Sequence, residues 1–504
     1  MPATNAEGLN IAFVEETSPG ASPPPTTGWY NQECNVITDP GPDYKKQARN
    51  PFTITRQLRR PFVAGLDCTL SLEVDATRDS VRYFGPGMFK SVWKDSGGKG
   101  QAVYAVTSVD ADGFNVAALG DLPDGTLVVS RGSENDENNG VWVVSGAAPG
   151  KIAITGALTV EADPPANMIV EVCGFQFGAG DFEIDADGNF TTTVKDLTQL
   201  DLNEHQFVVL GSADEVDLPH HFANAEYYGA AEVITIAANK LTTRRRSWEV
   251  GLADDGAGKT IRLFFTSWIR DVARSHDDEN LVSYAIEATY PGLAEGPADS
   301  YEYMLGYMLN DTTLNMAAEN KLTMQMTFIG KSAEVPTTER ATGPENALDP
   351  VTSLAVSTSS DFIRLSVDNI DESGLMSHFE DLKIVIKNNI TAEKAIATLG
   401  NAFTPLGVFE SQWSGRVFLE TPEIVTAVKD NRILRLAAGA RNDDFGLMLD
   451  TPSAASMKSK KIIEHNRTVR IDSETDGFMD SKSKFSMAMS YFAFLPRQAP
   501  GLET

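Results

Sequence analysis

Apolar and polar residues alternate along most of this 504-residue chain. The alternation is clearest in eight short segments that are rich in β-branched or large apolar residues and are bounded by Gly, Asp, Asn or Pro. They are GLNIAFVEE (8–16), CTLSLEV (68–74), VYAVTSV (103–109), EVITIAA (232–238), TIRLFF (260–265), FIRLSV (362–367), LKIVIKN (382–388) and GRVFLE (415–420). A period of two predicts strands with one buried face, so we expect a mainly β protein.

Helical signals are few. The clearest is TPEIVTAVKDN (421–431), where Thr421 can cap the helix and Pro422 sits where its missing N–H has no cost. DATRDSVRYF (75–84) is a second, weaker helix. Each of these segments follows a predicted strand, so we expect two strand-then-helix units.

An unusual octad with two methionines occurs twice, as KLTMQMTF (321–328) and KFSMAMSY (484–491). Alternate residues share a strand face, and methionine tolerates irregular surroundings, so the apolar face fills either a core or a contact with a neighbouring subunit. Core packing is the favoured alternative. The candidate packing or interface residues are Met324, Met326, Phe328, Met487, Met489 and Tyr491.

These recurrences predict an internal duplication. An alignment of the strand from Cys68 with the strand from Gly415 pairs Leu70 with Val417, and each strand runs into a predicted helix. The octads follow later in both copies, in the same order. The first copy spans much more chain, which indicates an insertion after its helix.

A smaller repeat lies inside this insertion. LPDGTLVVSRGS (122–133) resembles LNEHQFVVLGS (202–212), and DADGF (110–114) and DADGNF (185–190) precede them in the same order. We therefore divide the chain into five parts. They are a first large domain (1–95 and 266–331), small β module A (96–176), small β module B (177–265), a linker or arm (332–353) and a second large domain (354–504).

The charge excludes some functions. With 42 basic and 70 acidic residues, the net charge is −28, so the bulk surface is unsuited to binding nucleic acid, which needs Lys and Arg against phosphates. An acidic passage that DNA slides through, or solubility alone, would both fit. Three widely spaced cysteines favour a reducing compartment without a disulfide scaffold or zinc site. We see no signal peptide and no membrane-spanning segment.

No motif supports catalysis, a cofactor or a metal. DDGAGKT (254–260) lacks the first glycine of a phosphate loop, and the two DADG turns lack the later ligands of a calcium loop. His220 and His221 would point to opposite faces of a strand. The basic run TTRRRSW (242–248) stands alone, so we expect it to pair with acidic neighbours. We expect no enzyme activity.

Taken together, the chain resembles the major tail tube proteins of bacteriophages with long, non-contractile tails. The resemblance covers nearly the whole sequence and is one of pattern. It is carried by GKTIRLFFTSWIRD (258–271), TTLNMAAENKLTMQMTFIG (312–330) and the segment from LKIVIKNNI to VKDN (382–431). The inserted modules are similar to those of longer family members.

The resemblance implies two tandem tail-tube β-sandwich domains, each with one short helix, plus the small inserted β modules outside the tube. Smaller relatives form rings of six single-domain subunits, so a two-domain subunit would form trimeric rings with pseudo-sixfold symmetry. The implied partners are other copies of the chain, the tail terminator, tape measure and distal tail proteins, and DNA that passes without specific binding. The implied location is the virion tail, assembled in the host bacterial cytoplasm.

Two other functions stay open. A β-sandwich protein that decorates a capsid or binds host-surface glycans would have a similar composition. A carbohydrate-active enzyme is the third possibility, although no pair of carboxylates is informative in so acidic a chain.

Overall fold

All eight segments predicted as strands are strands in the computed structural model. The model describes residues 8–38, 40–49, 59–97, 100–117, 122–211, 229–246, 260–292, 299–352, 354–368, 379–418, 426 and 429–496. The first strands are β1 Asn10–Glu15, β2 Tyr30–Gln32, β3 Val36–Thr38, β4 Asp43–Arg49, β5 Arg59–Asp67, β6 Thr69–Asp75, β7 Lys94–Asp95, β8 Val103–Asp110, β9 Gly113–Val116, β10 Thr126–Arg131, β11 Gly140–Ala148, β12 Lys151–Thr155, β13 Ile169–Phe177, β14 Glu183–Ile184, β15 Phe190–Thr191 and β16 Phe207–Gly211. They are followed by β17 Gly229–Ala237, β18 Lys240–Arg244, β19 Ile261–Phe264, β20 Ser267–Arg270, β21 Tyr284–Tyr290, β22 Ser300–Ala317, β23 Thr323–Ile329, β24 Ser332–Ala333, β25 Phe362–Asp368, β26 Phe379–Lys387, β27 Glu410–Phe418, β28 Ile433–Arg441, β29 Gly446–Ile462, β30 Arg470–Gly477 and β31 Ala488–Phe492.

The helix predicted at 75–84 is confirmed as α1, Arg78–Phe89. Thr77 caps it, because its side chain accepts a hydrogen bond from the backbone N–H of Ser80. Most of the other predicted helix, 421–431, lies outside the described residues. A short helix α2 spans Thr342–Glu345, and two 3-10 helices span Asp136–Asn138 and Leu197–Leu200.

Two groups of seven strands have the same pairing pattern. We call β1, β3, β6, β21, β22, β23 and β24 the first strand set, and β25 to β31 the second strand set. The antiparallel pairs of the first set are β1–β21, β21–β22, β22–β24, β3–β6, β6–β23 and β22–β23. Those of the second set are β25–β28, β28–β29, β29–β31, β26–β27, β27–β30 and β29–β30. The chain order of equivalent strands is also the same.

The two methionine octads do not occupy equivalent strands. The first octad lies on β23, which pairs with β6 and β22, and its equivalent in the second set is β30. The second octad runs into β31, which pairs with β29 and β20. The expectation of equivalence is therefore wrong. Any strand with one buried face has a period of two, so similar octads can arise at different places in a fold.

Irregular pairings in the two long strands establish the residue correspondence between the sets. Asn310 is the extra residue of β22 opposite β23, and Met457 is the extra residue of β29 opposite β30. Leu70 is then equivalent to Trp413, whereas the sequence alignment paired it with Val417. That alignment is wrong by four residues. An even shift keeps every side chain on the same strand face, so the apolar pattern could not detect it.

The long strands β22 and β29 each pass from one sheet to another. In the first set, the first half of β22 pairs with β21 and β24, and the second half pairs with β23. The two sheets enclose a buried apolar cluster. Phe84 of α1 contacts both, since its ring centroid lies 4.7 Å from that of Phe13 on β1 and 6.0 Å from that of Phe328 on β23. The helix thus fills one end of the sandwich.

The insertion consists of two modules with the same strand order. Module A has the order β8-β9-β12-β11-β10-β13 and closes as a barrel through β13 and β8. Module B has the order β14-β15-β18-β17-β16-β19. Each DADG segment is the turn of the first hairpin, and β10 and β16 carry the two related VVS and VVL segments. The modules join through β13 and β19.

The insertion is anchored on the second strand set, although in the sequence it lies between β6 and β21 of the first set. The strand that directly follows the insertion, β20, pairs with β31 and with β7. The backbone N–H of Phe207 donates to Ser490 Oγ at 2.9 Å, and Arg131 Nη2 donates to the carbonyl of Ala493 at 2.7 Å. The buried Arg245 guanidinium pairs with Asp450 on β29. The second strand set is therefore held to the insertion.

The N-terminal segment and the linker pack on the first strand set of their own chain. Leu348 donates its N–H to the carbonyl of Trp29 at 2.9 Å, and Asn31 Nδ2 donates to Asp349 Oδ1 at 2.7 Å. Arg340 Nη2 lies 2.8 Å from Glu287 Oε1 on β21. The described part of the linker, residues 332–352, thus forms a strap across the first set.

Candidate assembly surface

The second sheets of the two strand sets join into one eight-stranded antiparallel sheet. Its order is β3-β6-β23-β22-β26-β27-β30-β29, and the central junction is the pairing of β22 with β26. Seven residue pairs form this junction, from Asp311 opposite Lys387 to Ala317 opposite Asp381. The pKa of Asp311 is raised by partial burial, which outweighs the opposing effects of the Asn310 hydrogen bond and the Lys387 ammonium. We call this sheet the joint sheet.

One face of the joint sheet is apolar and buried. Its buried apolar residues are Leu70, Leu72, Val74, Leu314, Met316, Met324, Met326, Phe328, Leu382, Ile384, Ile386, Trp413, Val417 and Ile471. The predicted packing residues Met324, Met326 and Phe328 belong to this face. Met487, Met489 and Tyr491 are also buried, in the same apolar cluster, but they lie at β31 in the other sheet. All six residues line the interior of the subunit, and the structure brings them into one cluster from two different sheets.

The opposite face of the joint sheet is polar and accessible. In the first strand set it carries mainly hydroxyl and amide side chains, with the carboxylates Glu73, Asp75 and Asp311. In the second set it carries six carboxylates and six basic side chains, which are Glu380, Asp381, Glu410, Asp472, Glu474, Asp476, Lys383, Lys387, Arg416, Lys458, Lys460 and Arg470. With nine acidic and six basic side chains among the described residues, this face has a net charge of only −3.

Charges of opposite sign face each other across neighbouring strands of the second set. Arg416 on β27 lies opposite Asp381 on β26 and Asp472 on β30, and its Nε is 3.1 Å from Asp472 Oδ1. Asp472 in turn lies opposite Lys460 on β29. Gln412 Nε2 donates to Glu474 at 3.0 Å. Opposite charges on directly facing positions stabilise an antiparallel pair, so these rows neutralise the carboxylates locally.

Most of the acidic excess lies elsewhere. Residues 96–265, the insertion, contain 10 basic and 25 acidic residues and therefore carry −15 of the total −28. The net charge of the chain consequently says little about the polar face of the joint sheet. The sequence-level expectation of an acidic passage rested on a charge that belongs mainly to the inserted modules.

Both ends of the joint sheet have an open edge within the described residues. There β3 pairs only with β6, and residues 458–462 of β29 pair only with β30. Val36 on β3 is 50% exposed, and Ile463, directly after β29, is 77% exposed. Prolines follow β3, and lysines occupy the edge of β29, and both features are common protections against uncontrolled pairing. Because the two edges are open, the joint sheet can extend at either side by pairing with a matching strand.

Two of the motifs discussed from the sequence, the basic run and the first DADG turn, form ion pairs in the structure. In the basic run, Arg244 and Arg245 form ion pairs with Glu232 and Asp450, as the sequence reasoning expected. At the first DADG turn, the Lys151 ammonium lies 2.6 Å from Asp112 Oδ1. His220, His221 and residues 254–259 of DDGAGKT lie outside the described residues.

In the part of the chain that the structure describes, His, Cys, Asp and Glu side chains form no group of three or more that could hold a metal ion. None of the helices within those residues is both long enough and apolar enough to cross a membrane.

Sequence reasoning missed the features that determine assembly of the joint sheet, namely the β22–β26 junction and the open edges of β3 and β29. The segments 321–328 and 382–388 were recognised as strands, whereas residues 311–317 of β22, which form the junction, were not. The alternation of apolar residues also does not say which strands pair. The opposite charges at one end of the junction, Asp311 with Lys387, were a signal of this pairing, but such pairs are common in sheets.

A family model described as phage tail tube protein matches residues 8–471 of the chain. The match covers the first strand set, the whole insertion and the second strand set as far as the start of β30. None of the curated proteins matches the chain.

Proposed function

Because this chain belongs to the phage tail tube protein family, we propose that it assembles as stacked rings of three copies. These rings form the tube through which phage DNA is ejected into the host. The observation that supports the proposal is the joint sheet, in which one chain already joins two equivalent half-sheets through β22 and β26. Among the described residues, the edges that correspond to β26 and β22 stay open at its two ends, on β3 and β29. The next pairing of this kind is then made between β29 of one copy and β3 of another.

Strand number supports several copies per ring. A barrel of about eight strands is just wide enough for side chains to fill, whereas barrels of roughly 16 to 18 strands enclose water. One joint sheet closed on itself would therefore leave no passage. Three joint sheets, at about 4.8 Å between strands, give a circumference of roughly 115 Å and a backbone diameter of about 37 Å.

Ring closure also removes the open edges, which would otherwise pair without control. Rings stack through a head-to-tail contact, which propagates as a filament. The tube ends require other proteins, and the proposed partners are the tail terminator, the tape measure and the distal tail proteins. The protein is a component of the virion tail, assembled in the host bacterial cytoplasm.

The polar face of the joint sheet would line the passage. Its buried counterpart is already used by the core of each sandwich, so only the polar face is available. The hydroxyl and amide side chains of the first set and the paired charges of the second set provide few free cations for phosphate contacts. DNA passes without specific binding along a wall that is close to charge balance.

The insertion lies outside this wall and braces it. Its contacts reach α1, β29 and β31, for example Arg78 with Glu171 at 2.9 Å and Phe207 with Ser490. These contacts attach α1, β29 and β31 to the same inserted unit. We assign no catalytic role to the modules, and the protein is a structural one.

Electron microscopy of the purified full-length protein tests the proposal. We expect hollow filaments, or rings that stack, with end-on views whose threefold symmetry resembles sixfold symmetry. Discrete particles under every polymerising condition would refute it and would favour a capsid decoration or glycan-binding protein instead.

A further inference from the structure

We propose that the contact between neighbouring subunits places Ile463 of one copy opposite Ile37 of the next, in an antiparallel pair of residues 462–464 with residues 36–38. The inference rests on the proposed function and adds to it the residues and the register of the subunit contact. Its basis is the junction inside each chain, which serves as a template for the junction between chains.

The internal junction defines the template. There Met316 on β22 lies opposite Leu382 on β26, and both side chains are 6% exposed on the buried face of the joint sheet. The neighbouring pair on the polar face is Asn315 with Lys383. The equivalent strands at the open edges are β29, which corresponds to β22, and β3, which corresponds to β26.

Two independent irregularities fix the correspondence between β22 and β29. On the side of β23 and β30, the extra residues are Asn310 and Met457, which are 147 positions apart. On the side of β21 and β28, Met304 corresponds to Thr451, again 147 positions later. Met316 therefore corresponds to Ile463.

The correspondence between β26 and β3 follows across the sheet. Met326 on β23 lies opposite Leu72, which lies opposite Ile37 on β3. The equivalent path in the second set runs from Ser473 through Gly415 to Leu382. Ile37 therefore corresponds to Leu382, and the template pair of Met316 with Leu382 becomes Ile463 with Ile37.

The side chains at these positions fit the contact. Ile463 is 77% exposed in the single chain, and Val36, beside Ile37, is 50% exposed. Exposed apolar side chains at both open edges are what a strand pair between copies would cover. Thr38 comes opposite Ile462 and Val36 opposite Glu464, so no pair of like charges is created by this register.

Cysteine cross-linking of assembled protein tests the register. Cysteines replace Ile37 and Ile463 in a Cys34→Ser background of the full-length chain, and tubes are oxidised mildly and run on a non-reducing gel. We expect covalent dimers and trimers, since directly opposite residues lie within disulfide distance. The matched control pairs Ile37→Cys with Lys461→Cys, two residues away on the same face, and should cross-link at least tenfold less.

The outcomes separate the register from the function. If tubes form but the control pair cross-links better than the predicted pair, the register is wrong and the tube proposal stands. If the wild-type chain forms no tubes at all, the proposed function is refuted, and the proposed register is refuted with it.

Two measurements cover the case in which the double-cysteine chain does not assemble. In wild-type tubes, the backbone amides of 36–38 and 462–464 should gain hydrogen-exchange protection relative to the free subunit, and unchanged exchange would overturn the register. In addition, Ile463→Asp should abolish tubes while leaving the melting temperature of the free subunit unchanged. The matched control is Val160→Asp, at a 63% exposed position of module A, which should assemble normally. Normal assembly of Ile463→Asp would contradict the proposed contact.

Discussion

Replacement of Met326 by alanine tests the two-faced character of the joint sheet. Met326 is fully buried at the centre of β23, between Leu72 on β6 and Thr312 on β22. The substitution removes three heavy atoms from a packed site and leaves a cavity. The flanking strands β6 and β22 restrict how far the surroundings can relax into that cavity. Methionine-to-alanine changes in cores cost roughly 2–5 kcal/mol, and paired strands on both sides place this one at about 3 kcal/mol.

The matched control is Gln325→Ala, the preceding residue of the same strand, whose side chain points to the polar face. Surface substitutions of this kind change the free energy of unfolding by about 0.5 kcal/mol or less. The contrast between adjacent residues isolates burial from strand propensity, because both changes place alanine in the same strand.

Urea unfolding of the free subunit, followed by tryptophan fluorescence, measures the difference through the shift of the transition midpoint at constant slope. A loss below about 1 kcal/mol for Met326→Ala, or an equal loss for Gln325→Ala, would refute the assignment of faces. A changed slope with no shift of the midpoint would point instead to an altered denatured state.

Three further outcomes are expected. Arg78→Met should cost roughly 3–5 kcal/mol by leaving the buried carboxylate of Glu171 without its guanidinium, and the double variant Arg78→Met, Glu171→Leu should recover most of that loss in the same urea assay. Arg416→Glu should lower the free energy of unfolding by about 1 kcal/mol or less, more at low than at high salt, because it faces Asp381 and Asp472. A salt-independent effect would contradict the row of opposite charges. Burial raises the pKa of Asp271 from 3.8 to about 6, so its contribution to stability is present below pH 4 and falls by roughly 3 kcal/mol as the pH rises through 6. Asp271→Asn should remove this loss, and parallel stability–pH curves for the two proteins would refute it.

The repeats show how far the sequence could be interpreted. The small repeat was found correctly, because its DADG turns and its VVS and VVL segments return as equivalent turns and strands of two modules. The large repeat was inferred from two wrong details, the octads and a shifted alignment. Its equivalent strands have diverged, since β23 carries Met324 and Met326 where β30 carries Ile471 and Ser473.

The placement of charge shows a similar limit. Sequence totals gave the net charge, but only the structure separates the acidic insertion from the nearly balanced polar face of the joint sheet. A count cannot tell which carboxylates face a passage, because that depends on which strands are neighbours.

The sequence by itself determined the eight predicted strands with their buried and exposed sides, the helix α1 and the presence of a repeated insertion. These properties follow from local periodicity and capping, which act over a few residues. Only the tertiary structure decided that β22 pairs with β26, that β31 pairs with β20, and that the outer edges of β3 and β29 have no strand partner among the described residues. Those pairings join segments far apart in the chain, and their register depends on irregularities such as the extra residues Asn310 and Met457, which leave no periodic mark in the sequence.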